Sequence, residues 1–556
     1  MFLFGKLNKM NQPITSPALL SLLAKVKARS QNTLSVPATN KTENVTTNQY
    51  GNVITYNAEQ QEFINLAVSG VHCVLLGPAG TGKTTCQKGA VNSLIQSGRI
   101  PVISDTYGHK YLTQNSPGIV LTSFTRRAVR NLKRAMPDDL KSNCITIHKL
   151  LEYQPVTYEV YDEEADKYKI TMRFEPTRNS QNPLPNTIKT IVFDESSMIS
   201  VTLFEQLCNA LLHKVQFIFV GDIQQLPPVF GPAILGFKAS EVPVVELTQV
   251  YRQALESPII ELATQIRMGN PLDELKEKFI KETHCGKLTL HPWKKKLHAE
   301  VALLTAAKFF TAAYDANQYD PAEDQILIPF NKSFGTDELN KHIANHIAKK
   351  YGKPVYEIIA GYNKHYFSVG DLVLFDKEDA EIVSINRNGT YLGKSPKPNS
   401  VTMDYWGFDS KQKQEENVDL DLESIDAFLE AAASTTEEKV NTASHIVTVR
   451  MIDSGEEISL ETAAEINTLI LSYALTVHKS QGSEWERVFV VLHQSHNTMI
   501  QRELLYTAIT RAKQELYVIC EPDTFTRGVV NQKIKGTTLQ EKLEYFKGIK
   551  KEKEVK

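Results

Sequence analysis

A loop of eight residues limits the fold of this chain more than any other feature. Residues 77–84, Gly-Pro-Ala-Gly-Thr-Gly-Lys-Thr, match the pattern G-x-x-x-x-G-K-[ST] at every fixed position. The loop follows an apolar, β-branched run at 71–76 and precedes a segment with helical patterning. In a strand, loop and helix of this kind, backbone N–H groups and the positive end of the helix dipole point at a phosphate. The pattern predicts an α/β fold and a bound nucleoside triphosphate.

Individual loop residues have separate expected roles. We expect Lys83 to contact the β- and γ-phosphates and the Thr84 hydroxyl to bind Mg²⁺. The residues expected to bind ATP within this segment are Gly77, Pro78, Ala79, Gly80, Thr81, Gly82, Lys83, Thr84 and Thr85.

An acidic pair further along the chain completes the expected hydrolytic site. Asp194 and Glu195 directly follow a short apolar strand at 191–193. Two adjacent carboxylates at a strand end are, on their own, ordinary surface residues. Downstream of a complete phosphate loop, Asp194 is expected to hold the metal and Glu195 to activate the attacking water.

The apolar runs fall into two groups, which predict two parallel α/β layers. Both groups contain short, continuous, β-branched runs of the kind found in buried parallel strands. The first group lies at 71–76, 119–123, 190–193 and 215–220, and the second at 325–328, 468–474, 488–492 and 516–520. Alternating β patterns around an acidic turn predict a projecting hairpin at 156–174. A larger insertion at 345–466 begins with β-rich sequence and has an acidic, low-complexity middle at about 400–442.

The charge distribution and the cysteine spacing indicate which partners and which cellular location to expect. The net charge is only −2, yet residues 121–149 carry seven basic side chains against two acidic ones. Such a local basic segment fits nucleic-acid contact better than the total charge does. The six cysteines lack metal-ligand spacing, and the sequence has no apolar run of about 18 residues. We expect reduced thiols, no zinc, no membrane contact and a cytoplasmic location.

A series of motifs resembles the superfamily 1B helicases of the RecD and Dda type. Besides the loop, the series comprises the segments 57–60, 123–125, 146–148, 194–198, 221–229, 251–253, 475–484 and 506–512, in the family's order. The segment 221–229, Gly-Asp-Ile-Gln-Gln-Leu-Pro-Pro-Val, is the most diagnostic of them. The resemblance implies two RecA-like parallel-sheet domains, a β-hairpin insertion (1B) and an SH3-like β insertion (2B). It also implies that the cytoplasm is that of a bacterial or phage-infected host cell.

The resemblance also implies domain boundaries. The expected divisions are a flexible tail at 1–50, domain 1A at 51–240 with the 1B insertion at about 153–187, domain 2A at 241–344 and 467–545, domain 2B at 345–466, and a charged C-terminal tail at 546–556.

Site residues carry over by motif position. Gln60 would read adenine, and Gln225 would contact the γ-phosphate. Arg252 and Arg511 would act as arginine fingers from the second domain, neutralising charge in the transition state. With Lys83 and Glu195 these residues complete the expected catalytic set.

Contacts to a nucleic-acid strand should be to phosphates and base faces, because a motor must pass over any sequence. The expected DNA-binding residues are Thr125, His148, Thr476, His478 and Lys479. Phe124 and Trp485 rank lower, since core packing accounts for an aromatic residue equally well. His148 also has an ordinary structural interpretation.

The leading interpretation is an ATP-dependent DNA helicase that moves along single-stranded DNA, with 5′ to 3′ polarity implied by the resemblance alone. Expected partners are single-stranded and forked or duplex DNA and a single-strand-binding or replication protein, with the motor acting as a monomer. The hairpin at 156–174 would separate the strands. Alternatives are an RNA helicase, a translocase that displaces proteins, or a non-catalytic subunit of a repair complex. A simple nucleotide kinase would not need the later motifs.

Overall fold

The computed structural model describes most of the chain. The described residues are 46–47, 53–101, 118–162, 167–229, 231–250, 256–270, 278–293, 296–361, 363–375, 378–391, 442–452 and 454–555. Arg252 and almost all of the predicted N-terminal tail and acidic segment lie outside them.

Strands are numbered in chain order. They are β1 Thr46–Thr47, β2 Val53–Ile54, β3 Cys73–Leu76, β4 Ile100–Pro101, β5 Gly118–Ser123, β6 Cys144–Thr146, β7 Tyr153–Asp162, β8 Lys167–Pro176, β9 Ile188–Phe193, β10 Gln216–Gly221, β11 Val244–Glu246, β12 Phe279–Thr283, β13 Gly286–Pro292, β14 Asp324–Ile328, β15 Tyr356–Ala360, β16 Asn363–Phe367, β17 Leu372–Phe375, β18 Glu378–Arg387, β19 Thr442–Met451, β20 Glu457–Thr462, β21 Ile470–Leu471, β22 Ala474–Thr476, β23 Trp485–Leu492 and β24 Ala512–Cys520.

Helices are numbered in the same way. They are α1 Ala58–Val68, α2 Lys83–Gln96, α3 Arg126–Ala135, α4 Ile147–Leu150, α5 Val201–Asn209, α6 Ile234–Ala239, α7 Pro258–Met268, α8 Ala299–Asp315, α9 Thr336–Lys350, α10 Ala463–Ile466, α11 Arg502–Ile509, α12 Pro522–Val530 and α13 Leu539–Val555. Shorter 3₁₀ turns lie at Asp138–Asn143, Ser196–Met198 and Gln494–His496. No helix within the described ranges has both the length and the apolar character needed to cross a bilayer.

The first sheet is parallel and carries the phosphate loop. Its strand order is β11-β3-β10-β9-β5-β4, with β6 also paired to β5. Every residue of β3, β5 and β10 is buried, as expected for strands covered by helices on both faces. The carboxyl ends of β3 and β10 align, with Leu76 opposite Gly221. This alignment brings the phosphate loop beside the segment 221–229.

The second sheet has the order β12-β13-β24-β23-β14-β22 and is parallel except for the antiparallel β12–β13 pair. Two parallel α/β layers are therefore present, which confirms the predicted fold class of two RecA-like sheets.

A third sheet is antiparallel, with the order β16-β15-β19-β18-β17-β21 and β20 beside β19. It is formed mainly by the insertion that the sequence predicts. The hairpin β7–β8 pairs Tyr153 with Pro176 and Asp162 with Lys167. The hairpin is present, whereas its identity as domain 1B and the SH3-like identity of the third sheet stay predictions.

The run at 468–474 was predicted as one buried strand, and this prediction is wrong. Ile470–Leu471 pairs with β17 in the third sheet, whereas Ala474–Thr476 pairs with β14 in the second. Between them the Tyr473 hydroxyl donates to the buried Asp371 carboxylate at 2.9 Å. The chain therefore passes from the third sheet to the second between Leu471 and Ala474.

The expected charged tail at 546–556 overlaps a helix. Residues 539–555 form helix α13, and Phe546 is 2% exposed against Phe237 of α6. Apolar residues at helical spacing, Leu539, Leu543 and Phe546, lie among the charges and pack on the first sheet's core. The chain therefore returns from the second sheet to the first at its C-terminal end.

Candidate nucleotide and nucleic-acid site

The phosphate loop has the backbone shape that its glycines allow. Gly80 and Gly82 both have a φ of 81°, in the left-handed region that glycine adopts without steric cost. The Thr81 hydroxyl donates to the carbonyl of Pro78 at 2.8 Å and holds the loop in a tight turn. Helix α2 starts at Lys83, so its first N–H groups open towards the loop.

Lys83 lies over the loop in this structure. Its Nζ donates to the carbonyl oxygens of Gly77 at 2.7 Å and Pro78 at 3.1 Å. A long, flexible side chain whose ammonium group is held only by backbone carbonyls can exchange them for phosphate oxygens. The position fits the expected phosphate contact.

The acidic pair lies where β9 ends. The Asp194 N–H donates to the Thr122 carbonyl at 2.8 Å, which ties this residue to the neighbouring strand β5. Burial and the adjacent Glu195 raise the pKa of Asp194 to about 7, and the positive charge of Lys83 acts in the opposite direction. The raised pKa means that too little positive charge surrounds this carboxyl group to keep it ionised. A bound divalent cation would supply that charge. The residues present therefore fit Mg²⁺, with Thr84 and Asp194 as its expected ligands.

Glu195 has an unusual backbone and an unsatisfied oxygen. Its φ of 49° and ψ of 44° lie in the left-handed region, which side-chain-bearing residues rarely adopt. Its Oε2 is buried without a hydrogen-bond partner among the described residues. Such an oxygen is available to accept a proton from water.

Gln60 caps helix α1 and still has an unused donor. Its Oε1 accepts from the Asn57 N–H at 3.2 Å, and the Asn57 side chain accepts from the Gln60 N–H at 2.8 Å. The side chain is fully buried, yet its Nε2 has no partner within the described part of the chain. Capping accounts for the oxygen, and the remaining N–H group fits the expected contact with a purine.

The second sheet reaches the phosphate loop through Tyr506. Its hydroxyl donates to Asp222 Oδ2 at 2.7 Å and accepts from the Ala79 N–H at 3.2 Å. Tyr506 is 2% exposed and belongs to α11, which is packed in the second sheet's core. The hydroxyl therefore joins the loop, the segment 221–229 and the second sheet at one point.

Tyr506 lies in one of the predicted motifs, yet the motif alone assigns it no role. A usable signal is the tyrosine itself within a helical motif, because a buried tyrosine hydroxyl needs a hydrogen-bond partner.

Two further bonds join the same segments. The Leu226 N–H donates to the Thr507 hydroxyl at 2.9 Å, and the Gln481 side chain donates to the Leu226 carbonyl at 3.0 Å. Gln225, the expected γ-phosphate contact, lies beside these anchored residues and is 5% exposed.

Arg511 is engaged within its own sheet. Its guanidinium donates to the Thr507 carbonyl at 3.0 Å, the Ser483 carbonyl at 3.1 Å and the Thr510 hydroxyl at 3.2 Å. The residue is 3% exposed. The structure thus brings Tyr506, and not the Arg511 guanidinium, into hydrogen bonding with the phosphate loop, and Arg252 lies outside the described residues. The finger role of both arginines stays a prediction.

Aromatic and imidazole rings lie together among the candidate DNA-binding residues of the first sheet. Thr125 is half-buried, and its hydroxyl caps α3 by accepting from the Ala128 N–H at 3.1 Å. The His148 ring lies between Phe124 at 5.2 Å and Tyr153 at 5.0 Å, both edge-on. Phe124 and Thr125 follow β5, His148 follows β6, and Tyr153 is the first residue of the hairpin. The structure thus brings the predicted residues Phe124, Thr125 and His148 together and adds Tyr153 to them.

The second sheet's candidates are more enclosed. The Thr476 hydroxyl accepts from the Lys479 N–H at 3.3 Å, and Thr476 is 5% exposed. Burial and the charge of Lys533 lower the pKa of His478 to about 4, so this imidazole is neutral near pH 7. Trp485 is half-buried with the Arg127 guanidinium 5.6 Å from its ring centre. The packing role considered for Trp485 matches this position.

Known families match both halves of the chain. The AAA domain matches residues 60–231, and the UvrD-like helicase C-terminal domain matches residues 471–519. Among solved structures, Bacteroides Pif1 bound to ssDNA aligns with 90% of this chain and 98% of its own, at 15% identity and a TM-score of 0.45.

Curated relatives align over most of this chain. The ATP-dependent RecD2 DNA helicase of Deinococcus radiodurans is 27% identical over 80% of this chain, which spans 46% of that protein's length. The RecBCD enzyme subunit RecD of Mycobacterium tuberculosis is 24% identical over 87% of this chain and 73% of its own length. The ATP-dependent DNA helicase dda of Enterobacteria phage T4 is 24% identical over 81% of this chain and 94% of its own length. These matches confirm the resemblance to RecD- and Dda-type helicases that the motif series indicates.

Proposed function

We propose that this protein is an ATP-dependent DNA helicase that moves along single-stranded DNA. The observation that carries the proposal is the position of the Tyr506 hydroxyl. This group of the second sheet hydrogen-bonds to two groups of the first, the Ala79 N–H of the phosphate loop and the Asp222 carboxylate. A nucleotide phosphate at this loop meets a group of the second sheet, so nucleotide exchange and the relative position of the sheets are linked. The names of RecD2 and Dda, both ATP-dependent DNA helicases, support the choice of reaction.

Roles within the site follow from the groups that are available. Lys83 exchanges its carbonyl partners for phosphate oxygens, and the Gln60 Nε2 donates to the base. The Glu195 Oε2 accepts the proton of the attacking water. Thr84 and Asp194 would hold Mg²⁺, which would supply positive charge opposite the developing negative charge. Arg252, Arg511 and Gln225 act as the sensors that the resemblance implies.

The strand is held along both sheets. Thr125 and His148 lie on the first side, and Thr476, His478 and Lys479 on the second, with Phe124 and Trp485 as secondary contacts. The proposed polarity is 5′ to 3′, and the hairpin β7–β8 separates the strands. The cytoplasmic location, the monomeric state and a single-strand-binding or replication partner belong to the same proposal.

Replacing Lys83 tests the site. We expect Lys83→Ala to lower ATP turnover by about 100-fold or more, because an ammonium group on the phosphates is lost. Salt-sensitive binding to single-stranded DNA should persist, since its phosphate contacts lie elsewhere. Lys88→Ala, on the same helix, is the matched control and should keep the wild-type rate. Undiminished turnover in Lys83→Ala would overturn the site assignment.

Tailed duplexes test substrate and direction together. Wild-type protein with ATP should unwind a DNA duplex with a 5′ single-stranded tail and leave one with a 3′ tail intact. The RNA versions of both substrates should be poor. Unwinding only from the 3′ tail would contradict the polarity, and preference for RNA would contradict the substrate.

A further inference from the structure

The basic helix next to the candidate DNA contacts is covered by acidic residues of the third sheet. Helix α3 follows Thr125 and presents Arg126, Arg127 and Arg130 towards the hairpin β17–β18. At the start of β18, Asp379 accepts from Arg127 Nη2 and lies 3.9 Å from Arg130 Nη2. Glu378 lies 3.6 Å from Arg126 Nη1. Three arginines that the sequence marks as a nucleic-acid surface are therefore held by two carboxylates of the same chain.

The central arginine of this contact is poorly satisfied. Arg127 is 3% exposed, yet its Nε and Nη1 have no hydrogen-bond partner among the described residues. The ring of Trp485, 5.6 Å away, cannot accept hydrogen bonds as an oxygen does. A guanidinium has five N–H donors and binds two oxygens side by side most effectively. One carboxylate oxygen uses only part of that capacity, which leaves Arg127 able to bind a phosphate.

The contact lies at the seam between the two sheets. The Asn131 side chain on α3 donates to the Gly482 carbonyl at 2.8 Å. A Cβ on Gly482 would lie 2.8 Å from the Thr125 hydroxyl oxygen, so this glycine permits the close approach. The acidic pair is thus bound beside the place where Thr125 of the first sheet meets the segment 475–484 of the second. A strand held by both sheets passes close to these arginines.

We propose that Glu378 and Asp379 form an intramolecular latch on α3 that the phosphate backbone of a single strand displaces. The step is an exchange of anions, because the arginines release two carboxylates and bind phosphate oxygens. The proposal rests on the proposed function and adds a regulation of its DNA site. Since latch closure and strand binding use the same arginines, each opposes the other by the same free energy.

The test is the affinity for a single-stranded DNA oligonucleotide, measured by fluorescence anisotropy over a series of salt concentrations. The double variant Glu378→Gln/Asp379→Asn should bind about fivefold or more tightly than wild type. Its salt dependence should also be steeper, because the released carboxylates of the wild type take up cations that offset the counterions lost from DNA.

A matched control separates the latch from a general charge effect. Glu381→Gln/Glu457→Gln removes the same charge from the same sheet, where both residues pair with Arg450 and not with α3. This control should bind DNA as wild type does. The single variant Glu378→Gln, at a position that is one-third exposed, gives a second test should the double variant not fold.

Each outcome decides the question. Tighter binding and a steeper slope in the latch variants alone support the latch. An equal gain in the control, or unchanged or weaker binding in the latch variants, overturns the latch and leaves the helicase proposal standing. Wild-type protein that binds no single-stranded DNA at all overturns both.

Discussion

The two sheets differ in whether the polar groups expected to meet the nucleotide already have hydrogen-bond partners. On the first sheet, buried polar atoms have no partners within the described chain, namely Gln60 Nε2, Glu195 Oε2 and Ser197 Oγ. On the second sheet, the Tyr506 hydroxyl and the Arg511 guanidinium already have hydrogen-bond partners. Unpaired buried polar groups are costly, so the first side gains free energy when a ligand arrives. The Tyr506 hydroxyl and the Arg511 guanidinium would have to exchange existing bonds, and under the proposed function that exchange would link the nucleotide to motion.

Removing the unpaired carboxylate should have the largest effect. Glu195→Gln keeps the shape of the side chain and lacks a base, so we expect turnover to fall by about 100- to 10,000-fold. Binding of a fluorescent nucleotide should change little. The matched control is Glu205→Gln on α5, which should keep the wild-type rate. Equal losses of binding and turnover in Glu195→Gln would assign this carboxylate to binding.

Removing the Tyr506 hydroxyl tests the opposite side. Tyr506→Phe leaves the buried Asp222 carboxylate without one donor and should lower the free energy of unfolding by about 1–3 kcal/mol. Urea denaturation measures this loss. Tyr545→Phe removes an exposed hydroxyl bond to the Lys533 carbonyl and should be nearly neutral. Unchanged stability in Tyr506→Phe would show that the bridge between the sheets is energetically unimportant.

Replacing the amide of Gln60 with a carboxyl group tests whether the first sheet contacts the nucleotide base. Gln60→Glu keeps the oxygen that caps α1 and replaces the unpaired donor with a buried carboxylate, so the melting temperature should fall and KM for ATP should rise about tenfold. KM for a pyrimidine triphosphate should change less. Gln61→Glu, one position along, controls for the added charge. A rise of equal size for every nucleotide would exclude a contact with the base.

The smallest expected effect concerns Asp194 and pH. The pKa of Asp194 is raised from 3.8 to about 7, so the folded protein without divalent cations holds a proton that the unfolded chain releases. Stability from this group is therefore lost as pH rises through that window.

Asp194→Asn removes this dependence. Its stability relative to wild type should increase between about pH 4 and pH 8, by about 1 kcal/mol or more, because a pKa shift of one unit corresponds to about 1.4 kcal/mol. Thermal unfolding with a chelator present measures it. A difference that is constant with pH would contradict the raised pKa.

The sequence predicts the parts of this molecule that local chemistry dictates. The phosphate loop, the strand before it and Asp194–Glu195 have short-range signals, since a glycine-rich loop with its lysine and a carboxylate pair at a strand end seldom occur together unless a nucleotide is bound. The two parallel sheets follow from continuous apolar runs, and their relation to RecD- and Dda-type helicases follows from the motif order.

Other features depend on distant contacts that a single sequence does not display. The run at 468–474 divides between two sheets because its first part pairs with β17, about 100 positions earlier in the chain, and its second part pairs with β14. The sequence indicates only a charged tail at 546–556, because the apolar side chains of α13 gain their role through contact with Phe237 and its neighbours. The covering of α3 by Glu378 and Asp379 is likewise a pairing between separate sheets.

The dependence of ATP turnover on DNA tests the link between the two sheets most directly. Steady-state hydrolysis by the wild-type protein, measured with and without saturating single-stranded DNA, should rise about tenfold or more when the strand is present. Under the proposed function, the strand would contact both sheets and favour the arrangement in which the second sheet's groups reach the phosphates. An unchanged rate would contradict the account, because the nucleotide site would then be independent of the strand.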